Sequence, residues 1–260
     1  MGVLPLETGL TYGPIRSRRL GISLGINALP RTQKVCSFDC IYCHYGPTTR
    51  KVLSADEGEF PGATEVLMAV EAALRHHRQV DSLTFSGNGE PTLHPYFNEL
   101  AYGVRKLRDR LAPGAKVALF SNSTRVHLPH IRDALAHIDA PIMKLDAGDP
   151  ETFARINRPA PGVTLAQVIA ALKQVPHCII QSVLIDGTVS NIHGAPFEAW
   201  LSALAEIRPA QVQIYSTDYP VAEAGVQKVP PFRLEQIAEV VRARTGLPVA
   251  AYWADLNPFM

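Results

Sequence analysis

From residue 64 onward, apolar positions alternate between two periods. Val66, Leu67, Val70, Ala73 and Leu74 share one helical face, and the short unbroken run Ser82–Phe85 that follows has the length of a buried strand. Leu100, Val104, Leu107 and Leu111 restore the helical spacing, after which 116–120 again reads as a strand. The alternation continues with a helix near 130–137, a strand at 142–145, a helix near 164–174 and a strand at 178–185. It then runs through a helix near 196–207, the strand Gln211–Tyr215, a helix near 233–244 and a last apolar run at 248–252. With a further strand at Gly21–Ile26, this repeated βα order predicts a parallel sheet flanked by helices. The fold class is therefore α/β: a parallel partial (β/α) barrel of about six strands. No linker or low-complexity stretch divides the chain, so 1–260 reads as a single domain, with the segment from about 246 to 260 closing or extending the barrel.

Each predicted strand ends in polar or glycine residues: Ser86-Gly87-Asn88, Ser121-Asn122-Ser123, Asp146, Asp186-Gly187 and Ser216-Thr217-Asp218. In parallel barrels these ends open on one face, and chemistry collects there. Composition adds little direction of its own. The 260 residues are 47% hydrophobic and 19% charged, with a formal net charge of +1, which gives no global electrostatic case for nucleic acid. No apolar run approaches the roughly 20 residues of a membrane span, and the first ten residues lack a basic and then apolar leader pattern. A cytoplasmic, reducing location is the expectation.

The chemistry concentrates in one loop. Cys36, Cys40 and Cys43 fall within eight residues, and Cys178 is the only other cysteine. Three thiolates at C-x3-C-x2-C spacing suit three corners of a 4Fe-4S cluster, leaving one iron open to a small molecule. Three rivals use the same residues. Zinc would take His44 as a fourth ligand, although four donors inside nine residues crowd a tetrahedron. Covalent haem would use the Cys40-Ile41-Tyr42-Cys43-His44 pattern. Reduced thiols without metal are the plain alternative. Cys178, alone among aliphatic residues, reads as core.

The cysteine loop, with an aromatic residue (Tyr42) before its last cysteine, resembles the cluster motif of the radical S-adenosylmethionine (radical SAM) superfamily. So does Ser86-Gly87-Asn88-Gly89-Glu90-Pro91-Thr92, which is similar to that superfamily's Gly-Gly-Glu segment. Within it, the chain resembles the branch of wyosine-type tRNA-modifying enzymes and their uncharacterised relatives. The segments that carry this likeness are 12–21, 144–147, 155–159 and 211–215, and it covers roughly residues 12 to 245. One departure limits it: with no further cysteine cluster, the chain cannot build the second all-cysteine cluster that wyosine-forming relatives use.

The resemblance implies two cofactors, a 4Fe-4S cluster and S-adenosylmethionine (SAM), with Cys36, Cys40 and Cys43 as cluster ligands. Gly89 and Glu90 would receive the SAM amine, by backbone carbonyl and carboxylate, and Tyr42 would pack near the adenine. Ser121 and Asn122 are candidates for the ribose hydroxyls or the SAM carboxylate; Asp146 is a candidate for the ribose, and Asn191 for the ribose or adenine. Lys144 shares the direction of Asp146 by strand alternation, with an ion pair to an acid such as Glu90 as its plain alternative. Arg158, Tyr215 and Asp218 are candidate substrate contacts. Arg16, Arg18 and Arg19, with Arg155 and Arg158, form either an anion site or structural ion pairs on the barrel rim. The implied activity is reductive cleavage of SAM to a 5′-deoxyadenosyl radical that abstracts hydrogen from an RNA, peptide or metabolite. The electron donor would be a small protein of flavodoxin or ferredoxin type. The competing classes are wyosine-like tRNA modification and a non-catalytic iron–sulfur or zinc-binding protein.

Overall fold

A computed structural model describes residues 3–54, 57–77 and 79–254. In chain order its elements begin with strands β1 (Thr11–Ser17), β2 (Gly21–Ile26), β3 (Val35–Cys36) and β4 (Arg50–Lys51). Helix α1 (Ala63–His76), β5 (Ser82–Phe85), α2 (Phe97–Leu111), β6 (Lys116–Ser121), α3 (Pro129–Leu135) and β7 (Ala140–Lys144) follow. The second half holds α4 (Pro150–Asn157), α5 (Leu165–Leu172), β8 (Ile179–Val183), β9 (Ile185–Gly187), α6 (Gly194–Ile207), β10 (Gln211–Tyr215), β11 (Val226–Lys228), α7 (Pro231–Thr245) and β12 (Val249–Tyr252).

Eight strands form one sheet in the order β1-β2-β5-β6-β7-β8-β10-β12. Every neighbouring pair from β2 to β12 is parallel, and β1 joins as an antiparallel edge through a tight hairpin. The open order of strands, with helices in the connections, gives the half-barrel expected of repeated βα units. The sheet exceeds the expected six strands because β12 adds to the edge of β10 and because β1 pairs at the other end. The β1 run carries Gly13-Pro14, which interrupts any alternating pattern and hides the strand. Residues 255–260 of the closing segment lie outside the described residues; its described part, through β12, extends the sheet.

The two faces of the sheet are unequal. Strand alternation sends Val117, Leu119, Met143 and Ile180 toward the helices, where they meet Val70, Leu100, Val104, Ile131, Val168, Trp200, Leu204, Ile237 and Val241 in the main core. The opposite, concave face carries only a small apolar group, Ala118, Ala140 and Ile142 with Leu20, Phe120 and Ile179. Its upper part is left for polar side chains. Helix ends are fixed locally: Asp149 caps α4 ahead of Pro150, and Thr164 with Gln167 forms a reciprocal capping box on α5. Helix α4 was not anticipated, because only Phe153 and Ile156 mark an apolar face in eight residues. The apolar run 178–185 divides into β8 and β9 at Leu184, whose amide donates to Tyr215 O at 2.8 Å.

Candidate functional site

The cysteine loop leaves β2 and crosses the C-terminal ends of the parallel strands, held by backbone contacts on two sides. On one side Val35 N donates to Asn88 O (3.0 Å) and Glu90 N donates to Val35 O (3.1 Å). This contact requires a glycine at 89. Its φ is +140°, and a Cβ there would stand 1.8 Å from Val35 O. The close approach that Gly89 permits is thus to the cysteine strand. On the other side Asp39 N donates to Asn157 O (2.9 Å), Ile41 N to Ile156 O (3.0 Å) and Ala160 N to Ser37 O (2.8 Å). The carbonyls ending α4 are free to accept because a helix leaves its last turn unpaired. Phe38 packs edge-on against Phe153, with ring centroids 5.4 Å apart.

Cys36, Cys40, Cys43, Tyr42, Gly89, Glu90, Ser121, Asn122, Lys144 and Tyr215 all line one cavity of about 250 Å³. A water needs roughly 10–15 Å³ by a comparable measure, so the space suits a ligand of many atoms. Four of the sequence candidates stand elsewhere. Asp146 is buried behind Tyr42: its carboxylate accepts from the Tyr42 hydroxyl, from Asn157 Nδ2 (2.7 Å) and from Val183 N (2.8 Å). Asn191 is buried and fully engaged with backbone, donating to Asp146 O and Val183 O and accepting from Ile185 N. Arg158, in a left-handed conformation after α4, pairs with Glu223. Asp218 pairs with Arg18 and Lys228, each at 2.7 Å. These two ion pairs oppose burial and hold the Asp218 carboxyl below its ordinary range.

The sequence left Lys144 a choice of acid, and the structure selects Asp146, at 3.9 Å, over Glu90. The ammonium lies 5.2 Å from the centroid of the Tyr42 ring. Burial, the largest single influence, would lower the Lys144 pKa; the Asp146 carboxylate together with Tyr215, Cys40 and Cys43 outweighs it and raises the value. Glu90 is instead clasped by neutral donors. Thr92 N (3.1 Å), Thr92 Oγ1 (2.6 Å) and Ser121 Oγ (2.9 Å) donate to one oxygen, and Asn122 N (2.6 Å) donates to the other. Burial raises its pKa despite those bonds. Asn122 turns its oxygen toward Thr124 and its amide toward Ser37 Oγ (2.8 Å) and Cys36 Sγ (3.5 Å).

Burial, the nearby Glu90 and Cys40 push the Cys36 thiol up to about 12. Burial also takes Cys40 to about 11, despite the opposing Lys144 cation. Both are therefore protonated near neutrality, and binding iron as thiolates releases protons. The donor set fits an iron–sulfur core: three soft sulfurs from one loop, facing one cavity. Among the described residues no three or more His, Cys, Asp or Glu side chains are grouped to hold a single ion. The His44 ring packs edge-on against Tyr219 at 5.4 Å. Cys178 is buried in the main core, as its aliphatic neighbours imply.

Several cavity residues escaped the sequence reading: Lys34, Phe38, Tyr45, Phe120 and Gln181. Phe120 and Gln181 lie within predicted strands, and Phe120, two residues before Asn122, could have been found by alternation from it. Lys34 and Tyr45 flank the cysteine motif and carry no pattern of their own. The Arg155-Ile-Asn-Arg-Pro159 segment, read as a source of substrate-facing arginine, turns out to support the cysteine loop through Ile156 O, Asn157 O and the Asn157 amide, which also reaches Cys40 Sγ at 3.4 Å.

Comparison with known proteins agrees with this geometry. Residues 31–200 match the family model described as "Radical SAM superfamily". A UPF0026 protein of Synechocystis sp. is 31% identical over 211 residues, 78% of this chain and 73% of the relative. A protein of Brachyspira hyodysenteriae named "GTPase Obg" is 31% identical over 167 residues, 64% of this chain but 23% of that protein. The chain thus spans less than a quarter of that relative. Among solved structures, a radical SAM methyltransferase from Sphaerobacter thermophilus superposes with a TM-score of 0.62 at 19% identity, covering 89% of this chain and 66% of that one. TYW1 with a lysine-pyruvate adduct superposes with a TM-score of 0.59 at 16% identity, covering 86% and 74%. At such identities the likeness establishes the half-barrel fold; the family match covers more than half the sequence, and on that ground the chain belongs to the radical SAM superfamily of enzymes, which work with a 4Fe-4S cluster and SAM.

Proposed function

We propose that this chain is a radical SAM enzyme whose single cluster is held by Cys36, Cys40 and Cys43. The observation that carries the reading is the convergence of these three sulfurs with Gly89, Glu90, Ser121 and Asn122 on one cavity at the C-terminal strand ends. Bound there, the cluster and SAM would supply one-electron cleavage of the sulfonium and the radical that abstracts hydrogen. The protein's own part is to bind, orient and enclose. Glu90, fixed by four donors and left with a raised pKa, offers a rigid carboxylate to the amine, and a cation beside it favours its ionised form. Ser121 and Asn122 flank that carboxylate and supply polar contacts for the carboxylate or ribose of SAM. Tyr42, tied to Asp146 and faced by Lys144, gives an aromatic wall for the adenine.

Asp146 and Asn191 act behind this wall. Asp146 collects Tyr42, Asn157, Val183 and Lys144 into one arrangement, and Asn191 ties the ends of β7 and β8 together. An external one-electron donor of flavodoxin or ferredoxin type completes the reaction, and a substrate enters the concave face. The test is anaerobic reconstitution with iron, sulfide, reductant and SAM. We expect 5′-deoxyadenosine and methionine in equal amounts; a fully loaded protein that yields neither would sink the assignment.

A further inference from the structure

The β1–β2 turn enters the half-barrel from the end opposite the cysteine loop. Asp81, just before β5, accepts from Ile22 N and donates through its own amide to Ile22 O, which fixes the turn at the N-terminal ends of the strands. Leu20 packs from this turn against the concave face, beside Ala118, Ala140, Ile142, Phe120 and Ile179. Arg19, its neighbour, reaches farther and lines the cavity. Its guanidinium carbon lies 5.1 Å from the centroid of the Phe120 ring and 4.8 Å from that of Tyr215.

This arginine differs from Arg18, Arg155 and Arg158, and from Arg16, which is exposed on β1 and does not line the cavity. Arg18 is paired with Asp218, Arg155 with Glu151 and Arg158 with Glu223. Arg19 has no acidic partner among the described residues, and its Nη1 is buried without any hydrogen-bond partner. Two aromatic rings hold the planar fork in place while its donors stay free, an arrangement prepared for a planar or tetrahedral oxyanion. Lys144 and Gln181 line the same space, and Glu90, a carboxylate of the lining, is fixed in place by Thr92, Ser121 and Asn122 and makes no ion pair with Arg19. Arg18, Arg155 and Arg158 are spent on ion pairs, and Leu20 closes the concave face below.

Resting on the radical SAM reading for the chemistry that follows, we propose that Arg19 binds the carboxylate or phosphate of a small anionic substrate at the closed end of the cavity, which fixes the reactive carbon at a set depth below the cysteine loop. The test uses the cluster-loaded protein with SAM present, titrated with succinate, inorganic phosphate, ribose 5-phosphate and neutral ribose, and followed by calorimetry and ligand-observed NMR. Wild-type protein is expected to bind at least one anion saturably and to ignore ribose. Arg19→Gln should weaken that anion about ten- to a hundredfold, the range of one charge-assisted hydrogen bond, and Arg19→Lys should recover part of it. Succinate against the phosphates tells which anion is taken. Iron content and SAM affinity, measured on all three proteins, should not change.

Equal anion binding by wild type and Arg19→Gln, or no saturable anion on wild type, overturns the proposal. Loss of SAM affinity in Arg19→Gln overturns it too, since the arginine would then serve the cofactor. If Arg19→Gln loads no cluster, Arg19→Lys decides: retained anion binding supports the site, and its absence from a loaded protein refutes it. A loaded wild type that forms no 5′-deoxyadenosine defeats the catalytic reading instead, and the anion titration separates the two failures.

Discussion

Replacing Gly89 with alanine tests how the cysteine loop is held. A Cβ at this position would lie 1.8 Å from Val35 O, 2.6 Å from Val35 C and 3.3 Å from Cys36 N, all backbone atoms that no side-chain rotation can move away. Relief requires the β3 backbone to separate from residues 88–90, which loses the bonds Val35 N to Asn88 O and Glu90 N to Val35 O. Two such bonds contribute about 1 kcal/mol each, net. Holding alanine at a φ of +140° adds strain of roughly 1–3 kcal/mol. The sum is about 3–5 kcal/mol, a fall in melting temperature on the order of 10 °C for a chain of this size. Because β3 carries Cys36, iron and sulfide loading should fall as well. Gly114 has no atom within 4 Å of its added Cβ, and Gly114→Ala should stay within about 0.5 kcal/mol as the control. Urea denaturation of the metal-free proteins and iron–sulfide analysis after reconstitution give both readouts. A Gly89→Ala protein with wild-type stability and full iron would refute the stapling argument.

Asp146→Ala removes the acceptor shared by Tyr42, Asn157 and Val183 and leaves Lys144 unpaired. We expect a loss of about 3–5 kcal/mol in urea denaturation; less than 1 would mean that the carboxylate is not the hub described. Asp218 has its pKa depressed by Arg18 and Lys228, so its contribution is present above the ordinary aspartate value and fades as pH falls through the lower folded value. Asp218→Asn should therefore destabilise the protein near pH 7 and converge with wild type in acid, and a deficit that grows toward low pH would reverse the argument. Cys178→Ala, a small change in the main core, should cost about 1 kcal/mol and leave iron loading intact, whereas loss of iron would make Cys178 a fourth ligand.

Sequence periodicity revealed the parallel βα order because the strands are buried on one face by long amphipathic helices, such as Val66, Val70 and Leu74 on α1. It missed β1 and α4. Gly13-Pro14 breaks the first pattern, and α4 is too short for more than one turn of apolar repeats. The cysteines and the Gly-Glu pair were legible because their chemistry is bound to local spacing. The roles around them were not. Asp146 and Asn191 are polar residues at strand ends like Ser121, yet their side chains are consumed by Tyr42, Asn157 and backbone groups contributed from far along the chain. Lys144 shows the same limit: strand alternation gave its direction, and only packing chose Asp146 over Glu90 as its acid. Arg19 was readable as one arginine of a basic run; that it alone reaches the concave face follows from the β1–β2 hairpin.

The central claim is that side chains occupy three corners of the cluster and SAM takes the fourth. Electron–nuclear double resonance on the reduced, reconstituted protein, with SAM labelled by 15N at the amine and 17O at the carboxylate, reads that corner directly. The account predicts hyperfine coupling from both labels to the cluster, retained in Cys178→Ala. A fully loaded cluster that shows coupling to neither label would contradict it.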